Sequence, residues 1–279
     1  MSQDARGQAV ACGLCGGEAP ERWATADAAF RQCVACGFVS GTPSGAAYAT
    51  TYAEERGHAL PAVERAKRRT FRWYVPRAAQ PGDRLLDVGC SSGATLAEAA
   101  ELGYAAFGVE PLPESAAAAR RGAPHATVHT GTLASARFPE GMFTVVTAFD
   151  VLEHLSDPTA EVREIFRVLK SGGRLIAVTP DAGSLSLRIL GARWPHLFAE
   201  HVSLFTRANL AGLLAVAGFR GVRTGWAPKF VAVETVVRHA RIHAHVGFAA
   251  PARLLGRLLP SGLTLPLNVG EMRVEAERP

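Results

Sequence analysis

From residue 82 onward the chain alternates between two rhythms of apolar and polar positions. Short, mostly apolar runs recur: "RLLDVG" (84–89), "AAFGVE" (105–110), "ATVHTG" (126–131), "FTVVTAFDVLEH" (143–154) and "RLIAVTP" (174–180). Their length and β-leaning content read as buried strands. Between them lie stretches with helical spacing: "ATLAEAAELG", stopped by Gly103, then "PESAAAARRG", then "PTAEVREIFRVLKSGG" with its glycine stop. "TRANLAGLLAVAGF" follows, with Thr206 as an N-cap. Repeated strand–helix units predict a parallel sheet with helices on both faces, and ligands at the carboxyl ends of its strands. "EMRVEAER" near the end reads as a closing strand.

The flanks are less regular. Residues 61–75 read as an amphipathic helix, with Val63, Ala66, Thr70 and Tyr74 on one face and Arg65, Arg68, Arg69 and Arg72 opposite. That basic face is either solvated or a clamp for a phosphate-bearing substrate. Residues 235–268 mix leucine, arginine and histidine. They suggest a helical insertion over the site, with peripheral contact to a membrane surface as the alternative. The chain therefore divides into 1–42, a helical lead-in 43–80, a core 81–234, and an insertion with closing strand 235–279.

Residues 1–42 show little periodicity but carry four of the five cysteines, in "CGLCGG" and "CVACGF". A glycine after each second cysteine lets backbone N–H groups turn toward thiolate sulfur. Cys12, Cys15, Cys33 and Cys36 thus predict a four-thiolate structural zinc site, which would hold together a segment too small for its own core. A redox dithiol fits less well, because no strand–helix unit surrounds the pairs. Cys90 reads as a small packing residue.

A net charge of +5 is modest and aromatic residues are sparse, which weighs against nucleic acid and permits an anionic small molecule. No secretory leader or long apolar span is evident, so the expected compartment is the cytoplasm.

"LLDVGCSSGATL" (85–96) carries most of the chemistry. A strand ending at Asp87 runs into Gly89 and Gly93, where a ligand can press against backbone. The next strand ends at Glu110, an acid placed to accept both hydroxyls of a ribose. The middle glycine of a dinucleotide loop is missing, which favours a nucleoside without pyrophosphate.

With "FGVEP", "FDVLEHLSDP" and "VLKSGGRLIAVTP" added, residues 82–226 resemble the class I S-adenosylmethionine-dependent methyltransferases. The cysteine pairs and the terminal "LPLNVGEMRVEAER" resemble zinc-ribbon members of that family, among them sugar C-methyltransferases. The resemblance implies a doubly wound Rossmann-like α/β sheet with a small N-terminal zinc ribbon. It also implies S-adenosylmethionine as cofactor. Asp87, Gly89, Gly93, Phe149 and Asp150 would line its methionine part, Glu110 its ribose, and Thr132 and Leu133 its adenine. Tyr52 would stand near cofactor or substrate. The implied acceptor is a small molecule such as a nucleotide sugar, glycan or natural-product intermediate. A ribosomal RNA methyltransferase and a cofactor-binding module without turnover stay open as alternatives.

"HLFAEHVSLFT" (196–206) remains. Its two histidines are five apart, about 140° on a helix, and Pro195 argues against a helix at all, so no metal site is expected here. The resemblance matches its Glu200–His201 to a Glu-His pair of the sugar enzymes, where Phe198 replaces a tyrosine. His201 is the candidate base, with substrate binding or a structural role as its alternatives, and Glu200 its positioner or a substrate ligand. His154 is a lesser candidate.

Overall fold

The structure, a computed structural model, describes residues 10–43, 61–75, 79–233, 260, 263–268 and 270–279. Tyr52 and most of 235–268, with the insertion expected there, lie outside these residues. The main sheet has seven strands. The strands are β6 (Arg84–Val88), β7 (Ala105–Glu110), β8 (Thr127–Thr130), β9 (Phe143–Phe149), β10 (Leu169–Pro180), β12 (Arg220–Trp226) and β15 (Glu271–Glu277), while β13 (Lys229–Ala232) and β14 (Thr264–Leu267) form a separate antiparallel pair. The chain divides into two compact units, one of Met1–Glu55, Thr132–Trp226 and Val269–Pro279, the other of Arg56–Gly131 and Ala227–Asn268.

In the second of these, β6, β7 and β8 run parallel. They connect through α2 (Ala94–Glu101) and α3 (Pro113–Gly122), as the alternating pattern requires. Helix α1 (Pro61–Tyr74) precedes them. It buries Ala62, Ala66, Thr70, Phe71 and Tyr74. Thr70 Oγ1 accepts from the Phe230 N–H at 3.0 Å and Tyr74 donates to the Pro228 carbonyl at 2.7 Å. The opposite, basic face does not wait for phosphate. Arg68 Nε donates to Glu98 at 2.9 Å, Arg72 reaches Glu98 and Glu101, and the Arg69 guanidinium lies 4.3 Å from the centre of the Phe230 ring. Glu98 is almost fully buried, and two guanidinium groups pair with its carboxylate there.

In the first unit β9 and β10 are parallel, while β15 runs antiparallel between β10 and β12. The sheet is therefore mixed rather than parallel throughout. Helix α5 (Pro158–Val168) ends five residues before the expected glycine stop, because Leu169 turns extended and pairs with Phe143. A register shift between Leu169 and Arg174 absorbs Gly172 and Gly173. Arg278 donates to the carbonyls of Phe166, Arg167 and Leu169, closing the helix end from 109 or more residues away. Strand β12, "RGVRTGW", lacks an apolar alternation and was not expected.

The N-terminal residues form a β1–β2 pair (Val10–Ala11, Glu18–Ala19) and a four-stranded sheet. Its strands are β3 (Glu21–Ala24), β4 (Ala28–Gln32), β5 (Val39–Pro43) and β11 (Ser203–Leu204). The last strand comes from far along the chain, with Ser203 opposite Ser40 and Leu204 opposite Val39. Phe30, Val39, Leu187, Trp194, Leu197 and Leu204 close one shared core beneath it. A cysteine segment of this size cannot bury a core alone, and here the rest of its unit supplies one.

Candidate active site

The turn after β6 is built for close approach. Gly89 and Gly93 have φ of 70° and 83°, and Ser91 joins them at 48°. A Cβ on Gly93 would sit 2.7 Å from the Ala119 carbonyl oxygen, so only glycine lets α3 pack against this turn. Asp87, buried at the strand end, accepts from Thr95 Oγ1 and so ties the strand to the helix that follows. Glu110, 1 % exposed, accepts from the Ser91 N–H at 3.0 Å and the Leu112 N–H at 3.1 Å, one bond on each oxygen. These bonds hold the carboxylate at the carboxyl end of β7. Cys90 is buried and its thiol pushed up by burial, then by the charges of Asp87 and Glu110. It packs under Gly108 and has no thiolate character.

In the other unit, Thr132 caps the short helix α4 (Leu133–Ala136) by accepting from Ser135, and Leu133 is buried. Phe149 ends β9, and Asp150 turns at φ 56° while its N–H donates to Val178 at 2.9 Å. A non-glycine residue in the left-handed region costs energy that surrounding structure must hold in place.

The same unit gathers Glu153, His154, Glu200 and His201. A 3-10 turn (Leu152–His154) presents Glu153 and His154. The irregular run after Trp194 presents Glu200 and His201, both buried. The two loops are stapled together: the Val202 N–H donates to the Glu153 carbonyl at 2.9 Å, and Ser203 Oγ donates to the Leu155 carbonyl at 2.7 Å. His201 Nδ1 is 2.9 Å from the His196 carbonyl oxygen, and His154 Nδ1 is 2.9 Å from that of Glu200. A carbonyl only accepts, so both rings carry their proton on Nδ1, and Nε2 is the basic nitrogen in each. The rings meet edge to face at 4.8 Å, and Phe198 covers His201 at 3.8 Å. The Glu200 carbonyl thus orients His154.

The four expected cysteines come together, also within this unit. Cys12 and Cys36 sulfurs are 3.7 Å apart, Cys15 and Cys33 sulfurs 3.5 Å. A tetrahedral ion with metal–sulfur bonds of about 2.3 Å has edges of about 3.8 Å, so the quartet fits a metal. The Leu14 N–H points at Cys12 Sγ and the Cys36 N–H at Cys33 Sγ, as the glycine knuckles predict. The Cys36 N–H is the main reason the Cys33 thiol is brought down to about 6. Cys12 and Cys36 are instead pushed up by burial, an uneven set that a cation would level.

Residues 58–224 match a family described as "Methyltransferase domain", well over half of the chain. The chain belongs to this methyltransferase-domain family. Among its relatives, a ubiquinone biosynthesis O-methyltransferase of Xanthomonas campestris is 32% identical over 129 residues, 44% of this chain and 54% of the relative. An uncharacterized protein in transposon TN4556 of Streptomyces fradiae is 30% identical over 175 residues, 58% of this chain and 49% of the relative. The chain thus spans about half the length of these curated relatives. A crystal structure from Thermotoga maritima, described as a possible histamine N-methyltransferase, superposes with a TM-score of 0.54 at 18% identity, over 83% of this chain and 97% of that one. At that identity the match speaks for the fold alone.

Within the methyltransferase domain, two participants were not singled out from sequence. Glu153 accepts from Thr179 Oγ1 at 2.9 Å, with both groups fully buried. The "DVLEH" run displayed Glu153, but nothing in the sequence placed Thr179 beside it.

Proposed function

We propose that this protein transfers a methyl group from S-adenosylmethionine to a small-molecule acceptor, such as a sugar, glycan or natural-product intermediate. Membership of the methyltransferase-domain family supports the reaction type. The turn of Asp87, Gly89 and Gly93, with the acid Glu110 at the end of the next strand, supports the nucleoside part of the cofactor. Thr132, Leu133, Phe149, Asp150 and Tyr52 complete the assignment by resemblance. The single observation that carries the chemistry is the His201 tautomer: Nδ1 donates to the His196 carbonyl, which makes Nε2 the basic nitrogen of the ring. Methyl transfer itself is an in-line displacement at a sulfonium, so alignment and deprotonation are what the protein must supply. Zinc on the cysteine quartet is structural in this reading. An RNA substrate loses its chief support, because Arg68, Arg69 and Arg72 already have protein partners.

The test is S-adenosylmethionine calorimetry together with release of S-adenosylhomocysteine over a panel of nucleotide sugars and hydroxylated metabolites. His201→Gln should bind cofactor as the wild type does and lose about 100-fold or more in turnover. Full turnover in that variant would end the base assignment, and no cofactor binding by the wild type would end the reading as a whole.

A further inference from the structure

The geometry points to a divalent metal site of the zinc or iron(II) type, separate from the cysteine quartet, held by Glu153, His154 and His201. One donor atom from each of the three lies within 4.8 Å of the others. Two ligands about 2.1 Å from one ion sit about 3–3.5 Å apart, so small side-chain rotations bring all three onto it. The surroundings are those a metal site requires. Each histidine donates Nδ1–H to a main-chain carbonyl, at 2.9 Å in both cases, which turns Nε2 inward as the ligand atom. Glu153 is oriented by the buried Thr179 hydroxyl. The two stapling bonds from Val202 and Ser203 hold the loops in register before any ion arrives. His196 belongs to the outer layer: its carbonyl fixes His201, while its ring lies 6.1 Å from that of His201.

Two imidazoles and one carboxylate select zinc, iron(II), cobalt or manganese over calcium and magnesium. Three protein ligands leave coordination positions open, which distinguishes a reactive site from a closed structural one. This deepens the methyl-transfer reading and rests on it for the reaction. An acceptor hydroxyl bound to the ion loses its proton to solvent near neutral pH, as ion-bound water does. Its oxygen then forms the new C–O bond as the methyl C–S bond breaks, and the electron pair stays on sulfur to give the neutral thioether. With the ion bound, His201 Nε2 is a ligand and no longer the base of the ion-free reading, and the ion takes over the deprotonation. The acceptor class is accordingly a hydroxyl compound.

The full chain, with its cysteines loaded with zinc and excess metal removed, is titrated with cobalt(II) by calorimetry and visible absorption. One cobalt per chain is expected, with bands of a nitrogen–oxygen site and no sulfur-to-metal charge transfer. Glu153→Gln and His154→Gln should each weaken binding at least 10-fold. Thr179→Val keeps all three ligands and should weaken it about 10- to 100-fold, with a native circular dichroism spectrum showing that the fold is retained. No uptake by the wild type at millimolar cobalt, or uptake that ignores these variants, overturns the site. Cobalt binding without S-adenosylmethionine binding would sink the methyl-transfer reading and leave the ion site standing. Cofactor binding and turnover without cobalt uptake would do the reverse.

Discussion

Gly93 shows how much one position can decide. Its φ of 83° and the 2.7 Å approach of the Ala119 carbonyl leave no room for a side chain. Gly93→Ala should therefore cost about 1–3 kcal/mol of stability and weaken cofactor binding, read from urea unfolding and calorimetry. Glu161, on α5, argues a different point. Burial, and then the charge of Glu164, raises its carboxyl above the ordinary range. With a raised folded-state value, the stabilising contribution is present below the unfolded value and is lost as pH rises through the folded one. Glu161→Gln should remove that loss, so its urea midpoint should exceed the wild type at pH 7 and converge with it near pH 4. A constant difference at both values would show that titration is not the cause.

Among the elements, the ribbon sheet carries the main lesson. The Gly41 N–H donates to the Val202 carbonyl at 3.0 Å, and a Cβ on Gly41 would strike the His201 carbonyl at 2.4 Å. Asn209 Nδ2 donates to the Cys36 carbonyl at 3.1 Å, and Phe38 meets Phe205 at 5.2 Å. The cysteine segment is thus continuous with the strand that directly follows His201. Stripping metal with a strong chelator should lower the thermal midpoint and open residues 10–43 to protease, while β9 and β10 stay protected from hydrogen exchange. Equal midpoints before and after chelation would mean that packing alone holds the ribbon. The short β11 was hard to foresee, since a two-residue strand has no periodicity and gains its partner only through chain folding.

For the molecule as a whole, binding and folding are linked. A ligand that binds only the folded chain at about 100 times its Kd adds about 2.7 kcal/mol. S-adenosylmethionine should then raise the thermal midpoint by roughly 5–10 °C. A midpoint that does not move would count against the cofactor assignment. Among the described residues no helix is long and apolar enough to cross a membrane.

The sequence by itself determined the α/β alternation, the turn at Gly89–Gly93, the acid at Glu110 and the cysteine quartet. Each rests on local spacing, which the chain shows without folding. Helix α1 was legible for the same reason, but the fate of its arginines was not, because Glu98 and Phe230 lie 26 and 161 positions beyond Arg72 and Arg69. Only the tertiary structure turned β15 antiparallel and made residues 203–204 part of the ribbon sheet. It also joined Glu153 and His154 to His201, about 47 positions on. Such pairings depend on which loops a closed core brings face to face, and hydrophobic periodicity carries no record of that.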